Sequence, residues 1–248
     1  MLYALAVFGE RKRLDMRADI KRGLIITIDG PAGAGKSTVG RRLAERLSYI
    51  YLDTGALYRA VAFKVLQEGI SPESEDDISE LCGKIKVHLE NRNGELRVFV
   101  DEQDVTENLR TEQIGLLASR VSAISVVRKS LLPVQRGMGT KGRIVAEGRD
   151  MGTVVFPDAD VKFFLDAGLE ERIRRRYEEL ARKGEKGDYR EVERDLIKRD
   201  SQDRERNVAP LIIPDDAVII DSTNISISEV VERMMSVIMD HDRFRVRR

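Results

Sequence analysis

The 248 residues carry 43 Lys and Arg against 43 Asp and Glu, a formal net charge of zero at pH 7, so no overall field draws the chain to a nucleic acid or an anionic membrane, and any basic site is local. A hydrophobic content of 42% suits one α/β domain with insertions, or two small domains. The single Cys82 excludes an internal disulfide, and with only His88 and His241 and no C-x-x-C there is no zinc cluster to read; the setting expected is reducing and cytoplasmic, with Cys82 a small core residue of an amphipathic helix.

Residues 1–22 differ in character from the rest of the chain. Leu2 to Phe8 is apolar, but Glu10-Arg-Lys-Arg13 comes next, where a signal peptide would place small residues, and the run is far too short to span a membrane. The stretch is read as an extension of unassigned role, with Met16 an alternative translational start. The organised chain is expected over residues 23–248.

Leu24 to Ile28 is a short, mostly β-branched run that meets a Gly/Pro/Ala turn, and Val39, Leu43 and Leu47 then recur every four residues. That pattern reads as strand, loop, helix. Within it Gly30, Pro31, Ala32, Gly33, Ala34, Gly35, Lys36 and Ser37 fit G-x-x-x-x-G-K-[ST]. The glycines of that pattern let consecutive backbone N–H groups turn inward around a phosphate chain. Lys36 is placed to reach the β- and γ-phosphates, Ser37 to hold Mg²⁺, and the helix beginning there presents its positive end.

Tyr49 to Asp53 predicts a second strand and Thr54-Gly-Ala-Leu-Tyr-Arg59 opens another helix, completing a βαβ unit whose ligand lies beyond the carboxyl ends of the strands. Asp53, Thr54, Tyr58 and Arg59 stand at that end. Residues 71–110 change character: a helix around Ile78 to Ile85, capped by Ser74 or Ser79, precedes two alternating strands, 86–90 and 95–100, around Asn91-Arg-Asn-Gly94, with a third short strand over 101–105. This reads as a small antiparallel subdomain inserted in a parallel plan, with His88 facing solvent. Helical patterns resume over Thr111 to Ile124 and from Val126, with Pro133 kinking or restarting the second. Arg143 to Ala146 is a third parallel-type strand ending in Glu147-Gly-Arg-Asp150, charges that packing does not explain at a strand's carboxyl end. Val161 to Leu165 and Ala217 to Asp221 are the fourth and fifth strands, each followed by a helix.

Between those last strands, residues 170–206 hold 13 basic and 12 acidic side chains. The pairs Glu170/Arg174, Glu171/Arg175, Glu178/Arg182 and Glu179/Lys183 stand at i,i+4 with the acid first, each worth ~0.3–0.5 kcal/mol, and account for much of the charge as a solvated helix pair. They leave Arg199 to Arg206 unexplained. Two exposed helices with few apolar anchors, joined through Gly184 to Gly187, have the makings of a mobile lid that delivers arginines to a transferring phosphoryl group.

Four blocks in this order, Ile28 to Thr38, Asp53 to Arg59, Glu147 to Pro157, and the Arg/Asp-rich stretch before Val208-Ala-Pro-Leu211, resemble the bacterial cytidylate kinase family from about Gly23 to Asp240, and the inserted hairpin resembles that family's extra sheet. The resemblance implies an α/β P-loop nucleoside monophosphate kinase: a five-stranded parallel sheet flanked by helices, an inserted NMP-binding subdomain with the antiparallel sheet at 71–110 and a helical lid at 170–206. It implies transfer of the γ-phosphoryl of ATP to CMP or dCMP with Mg²⁺ in pyrimidine nucleotide metabolism, by a monomer that engages neither nucleic acid nor membrane. Carried over, ATP phosphates fall on Gly30 to Thr38; Arg59, Arg149 and Arg206 clamp the monophosphate, bordered by Thr54, Tyr58 and Asp203; Ser119, Arg128 and Asp150 face the cytosine. Lys36, Arg149, Arg199 and Arg204 are the catalytic cations, and Glu147, at a position that is Asp in many relatives, stands behind the metal. The acceptor oxygen is already ionised, so alignment and charge neutralisation carry the reaction without a strong base.

Three rivals fare worse. A regulatory GTPase lacks its N-K-x-D and D-x-x-G motifs here. A shikimate- or gluconate-type kinase shares the phosphate loop but lacks the antiparallel insertion. A non-catalytic nucleic-acid binder is argued against by the balanced charge of the arginine-rich segment, because a phosphate-backbone site is usually one-signed.

Overall fold

A computed structural model describes residues 23–92, 95–182, 184 and 188–241; the expected N-terminal extension, the tip of the hairpin and most of the Gly184 to Gly187 turn lie outside these. In chain order the elements are β1 (Ile25–Asp29), α1 (Lys36–Leu47), β2 (Ile50–Asp53), α2 (Thr54–Gln67), α3 (Glu75–Lys84), β3 (Val87–Arg92), β4 (Glu95–Val100), β5 (Gln103–Asp104), α4 (Glu112–Val121), α5 (Ser125–Met138), β6 (Ile144–Gly148), β7 (Val161–Asp166), α6 (Leu169–Arg182), α7 (Tyr189–Glu205), β8 (Val218–Asp221) and α8 (Ile227–Asp240). The five parallel strands expected from sequence are present and run β2-β6-β1-β7-β8. Every residue of β1 is buried, because helices cover both faces of the sheet, and this is why its sequence is a continuous apolar run rather than an alternating one.

On one face Ile26, Ile28, Phe163 and Leu165 pack with Val39 and Leu43 of α1 and with Val230, Met234 and Ile238 of α8. On the other, Ile25, Leu52, Ile144 and Ala146 meet Met151, Val155 and Phe156. Phe163 is fully buried, and truncating it to alanine costs about 3–5 kcal/mol. A separate cluster joins Leu57, Val61 and Val65 of α2 to Ile78 and Leu81 of α3, Ile114 of α4 and Leu131 of α5. The inserted sheet, β3-β4-β5, is seated on α2 through Val98, Val100, Val105, Leu109 and Ala60.

Some details differ from the sequence reading. The third strand of the insertion is only Gln103–Asp104, and His88 is half-exposed with its ring stacked 5.1 Å from Phe99. Helix α5 continues through Pro133, which forgoes one backbone bond without ending the helix. The two lid helices are better anchored than their charge suggests: Ile173, Leu180, Val192 and Leu196 form a buried seam that also takes in Ala32 of the phosphate loop. Of the expected ion pairs, Glu171 does meet Arg175 at 2.7 Å. Arg174 instead pairs with Glu171 and Glu178, Glu179 with Arg176, and Arg182 donates to the Glu178 carbonyl; Lys183 lies outside the described residues. Among the described residues no helix is long and apolar enough to cross a membrane.

The register puts Asp29 beside Gly148 and Asp53 beside Glu147. The carboxyl ends of β1, β2 and β6 are therefore level, and the phosphate loop, the start of α2 and the Glu147–Asp150 segment open on one edge of the sheet.

Candidate active site

The chain leaves β1 through Gly30 at φ +150°, with Gly33 at +77° and Gly35 at +93°. A Cβ on Gly30 would lie 1.9 Å from the Leu165 carbonyl oxygen, and one on Gly33 2.9 Å from that of Arg172, so side chains are excluded by contact as well as by torsion. Gly35 caps α1 without a side chain, which leaves the first-turn N–H groups and the positive helix end to an anion. Lys36 is buried, and its Nζ donates to the Pro31 carbonyl at 2.7 Å. Burial, with Arg149 and Arg199 close by, pushes its pKa down to about 7 against the pull of Glu147. The site thus holds more positive charge than it can comfortably keep without an anion.

Facing the loop is a second set of charges. Arg149, part-buried just beyond β6, donates Nε to Asp203 of α7 at 2.6 Å. Burial works to raise Asp203, but Arg149 and Arg199 beside it prevail and hold its carboxyl below the usual range. Arg206 donates Nε to the Ala209 carbonyl at 2.7 Å and lies 3.9 Å from Asp150 and 3.7 Å from Asp203. Arg199 is part-buried, its Nε is enclosed without a hydrogen-bond partner, and burial, then Arg149, push its pKa down to about 10. Arg206 Nη2 is also without a hydrogen-bond partner. A buried guanidinium donor left open is costly unless an anion answers it, and two such donors in the cluster around Asp203 that also contains Arg149 fit an anion site. Beyond it, Arg128 spans Asp150, a salt bridge, and the Ser122 carbonyl at 3.0 Å, while its guanidinium lies 5.1 Å from the Tyr58 ring centre.

A sequence model of the cytidylate kinase family matches residues 26–240. The chain belongs to the cytidylate kinase family. The cytidylate kinase of Geobacter sulfurreducens is 49% identical over 92% of this chain and 98% of its own length. That of Caldanaerobacter subterraneus subsp. tengcongensis is 51% identical over 86% and 93%. A shikimate kinase from Acinetobacter baumannii superposes with a TM-score of 0.44 at 16% identity, over 91% of this chain and 98% of its own, too loose a likeness to bear on fold or substrate.

Within this cytidylate kinase chain, Lys36, Arg149, Arg199 and Asp203 act on one another electrostatically, as do Tyr58, Arg128, Asp150 and Arg206. Arg59 reaches the same region, although Nη2 is held by Asp53 at 2.6 Å. The Thr54 hydroxyl donates to the Glu147 carbonyl at 2.7 Å, so Thr54 ties β2 to β6. Ser119 is buried; Gln202 donates Nε2 to its carbonyl at 2.7 Å, which leaves the hydroxyl in only a long 3.5 Å contact. Arg204 is exposed and stands apart from the cluster. Positions 199, 203 and 206 lie at i, i+4 and i+7 on one helical stripe, whereas an i+5 residue points about 140° away, and that spacing is the signal that separates Arg204 from its neighbours.

Several participants escaped the sequence reading. Arg172 donates Nη1 to the Ala32 carbonyl at 3.1 Å and to Asp200 at 2.5 Å, and Nε to the Ala167 carbonyl at 2.9 Å. Arg175 reaches the Ala34 carbonyl at 3.4 Å and Ser222 at 2.9 Å. Tyr51 donates its hydroxyl to Glu147 Oε1, and its ring occupies the space beside Gly40, where a Cβ would come within 2.9 Å.

The residues fit a divalent cation. Glu147 is buried, its Oε2 has no hydrogen-bond partner, and burial followed by the nearby Asp53 raises its pKa, with Lys36, Tyr51 and Ser37 pulling the other way. No group of three acidic, His or Cys side chains among the described residues could hold an ion unaided. Ser37, together with phosphate oxygens, is the available ligand, with the open Glu147 oxygen behind it.

Proposed function

We propose that this enzyme transfers the γ-phosphoryl group of ATP to CMP, and to dCMP, giving ADP and CDP or dCDP. The observation that carries this reading is the pair of anion-seeking surfaces on one sheet edge: a backbone cradle with Lys36 on one side, and on the other Arg149 paired with Asp203 beside Arg199 and Arg206, which each keep an unanswered donor. Gly30 to Thr38 hold the donor phosphates, and Lys36 bridges β and γ. Arg59, Arg149 and Arg206 hold the acceptor phosphate, with Thr54, Tyr58 and Asp203 at its border. The acceptor oxygen attacks phosphorus in line as the bond to the β-phosphate oxygen breaks. It arrives ionised, so no residue removes a proton, and Lys36, Arg149 and Arg199 answer the charge on the transferring group. Ser37 and the phosphate oxygens would hold Mg²⁺, with Glu147 behind them, and the ion would add charge neutralisation. Asp150 accepts from the cytosine 4-amino group, while Arg128, resting on Tyr58, and Ser119 meet the ring acceptors.

Every group named comes from one chain, which supports a monomer as sufficient. The lone Cys82 accords with a reducing, cytoplasmic location. A coupled ADP-release assay across the common nucleoside monophosphates tests the proposal: CMP and dCMP are expected to lead, and a panel in which another acceptor turns over faster overturns it.

A further inference from the structure

Asp29 ends β1 immediately before the phosphate loop and is fully buried. Its two carboxylate oxygens are both engaged across the sheet edge: Oδ1 accepts from the Met151 N–H at 2.8 Å and Oδ2 from the Gly152 N–H at 2.7 Å. Those donors begin the wide turn Met151–Val155, which closes on itself through bonds from Val154 and Val155 to the Asp150 carbonyl and from Phe156 to that of Met151. Asp150, the residue preceding the turn, offers no side-chain cap of its own, because its carboxylate faces Arg128 and Arg206. The cap therefore comes from a strand 122 residues away in sequence.

We propose that Asp29 is a positioning residue for the acceptor nucleotide: by capping the 151–155 turn from the strand that carries the phosphate loop, it sets where Arg149 and Asp150 stand relative to Lys36. The backbone of Glu147 to Gly152 is then pinned at two places, at the Glu147 carbonyl by Thr54 and at Met151 and Gly152 by Asp29. Arg149 and Asp150 lie between the pins. Burial, offset in part by the two N–H bonds, raises the Asp29 pKa to about 6, with Asp150 and Lys36 the charged groups that face it; at neutral pH the carboxylate is ionised and accepts at both oxygens. Removing one acceptor leaves a buried N–H unpaired and frees the segment that carries the acceptor contacts, while the glycine torsions of the phosphate loop are set by other contacts.

This inference rests on the reading of Arg149 and Asp150 as acceptor-side groups. Asp29→Asn keeps the size of the side chain but turns an amide N–H₂ toward one of the two N–H donors; Asp29→Ser keeps one smaller acceptor. Both are expected to raise KM for CMP about tenfold or more while KM for ATP stays within about twofold. Amide hydrogen exchange at Met151 and Gly152 should speed up, with the amides of 39–44 in α1 unchanged. An unaltered KM for CMP in a folded variant, or a KM for ATP that rises in step with it, overturns the proposal. Failure of both variants to fold also overturns it, by making the carboxylate a determinant of the fold. A parent enzyme that does not turn over CMP would refute the acceptor reading instead, and the exchange at Met151 and Gly152 would still report whether Asp29 holds the turn.

Discussion

On the proposed reading, the phosphate loop and the acceptor cluster bind the same chemical group by opposite means. The loop is contiguous: its three glycines have positive torsions that favour glycine, two of them also with contacts that exclude a Cβ, and it presents backbone N–H groups that cannot be titrated away. The acceptor cluster is gathered from α2, α5, the end of β6 and α7, and its shape is maintained by charge against charge, Arg149 on Asp203 and Arg128 on Asp150. A site built from backbone is fixed by one short segment. A site built from paired side chains depends on several elements arriving together, and can be altered one contact at a time.

The sharpest way to break the comparison is at Lys36, the one side chain on which the loop relies. Lys36→Ala is expected to lower kcat by at least about 10³-fold, since a buried charge on the transferring group is lost, with an unchanged circular dichroism spectrum. Near-normal turnover would mean that the backbone alone suffices.

Next in size is the lid. Arg199→Ala should cost about 10²-fold in single-turnover rate, while Arg204→Ala, which removes an exposed side chain, should stay within about threefold. Equal losses at the two positions would show that the lid turns Arg204 inward when nucleotides bind.

Asp150→Asn tests a single contact of the side-chain site. The amide can also donate, so kcat/KM for CMP should fall and the preference for CMP over UMP should narrow by about 10- to 150-fold, the equivalent of ~1.5–3 kcal/mol for a charged hydrogen bond. A ratio as wide as the parent's, in a folded variant, would remove Asp150 from base recognition.

A separate effect is expected on stability. Lys36 has a pKa of about 7 in the folded protein against 10.5 for an ordinary lysine, so between those values the unfolded chain binds more protons and stability rises with pH. Thermal melts of the nucleotide-free protein from pH 7 to 10 should show that contribution in the parent and not in Lys36→Ala. Saturating ATP should suppress it, because bound phosphates favour the charged amine.

The same contrast governs what the sequence made visible. The three inner strands β6, β1 and β7 were readable because burial on both faces leaves an unbroken apolar run, and the loop was readable because its requirements are local. The acceptor residues were named through family resemblance, but their pairing was not legible. Arg172 and Asp200 look like two more members of a solvated charged face, and only the fold shows them buried against each other and against the loop. Asp29 appears as the last residue of a strand, since nothing nearby in sequence announces the two N–H groups it serves. Gln202 and Tyr51 are ordinary residues until the lid is laid over α4 and the Tyr51 ring is set beside Gly40.

The bonds from Arg172 and Arg175 to the carbonyls of Ala32 and Ala34 have a mechanical consequence. The first turns of α6 are lashed to the rim of the loop, so they belong with the stationary body and cannot swing with the rest of the lid. Any pivot has to lie farther along α6, leaving its later turns and α7 as the lever. Arg172 is the bearing of that lever, because one of its nitrogens serves both the loop and Asp200 on α7. If α7 lifted as the lid reading has it, Arg172 would keep its hold on the Ala32 carbonyl and give up the Asp200 carboxylate alone, and the cradle would retain its form while the arm above it moved.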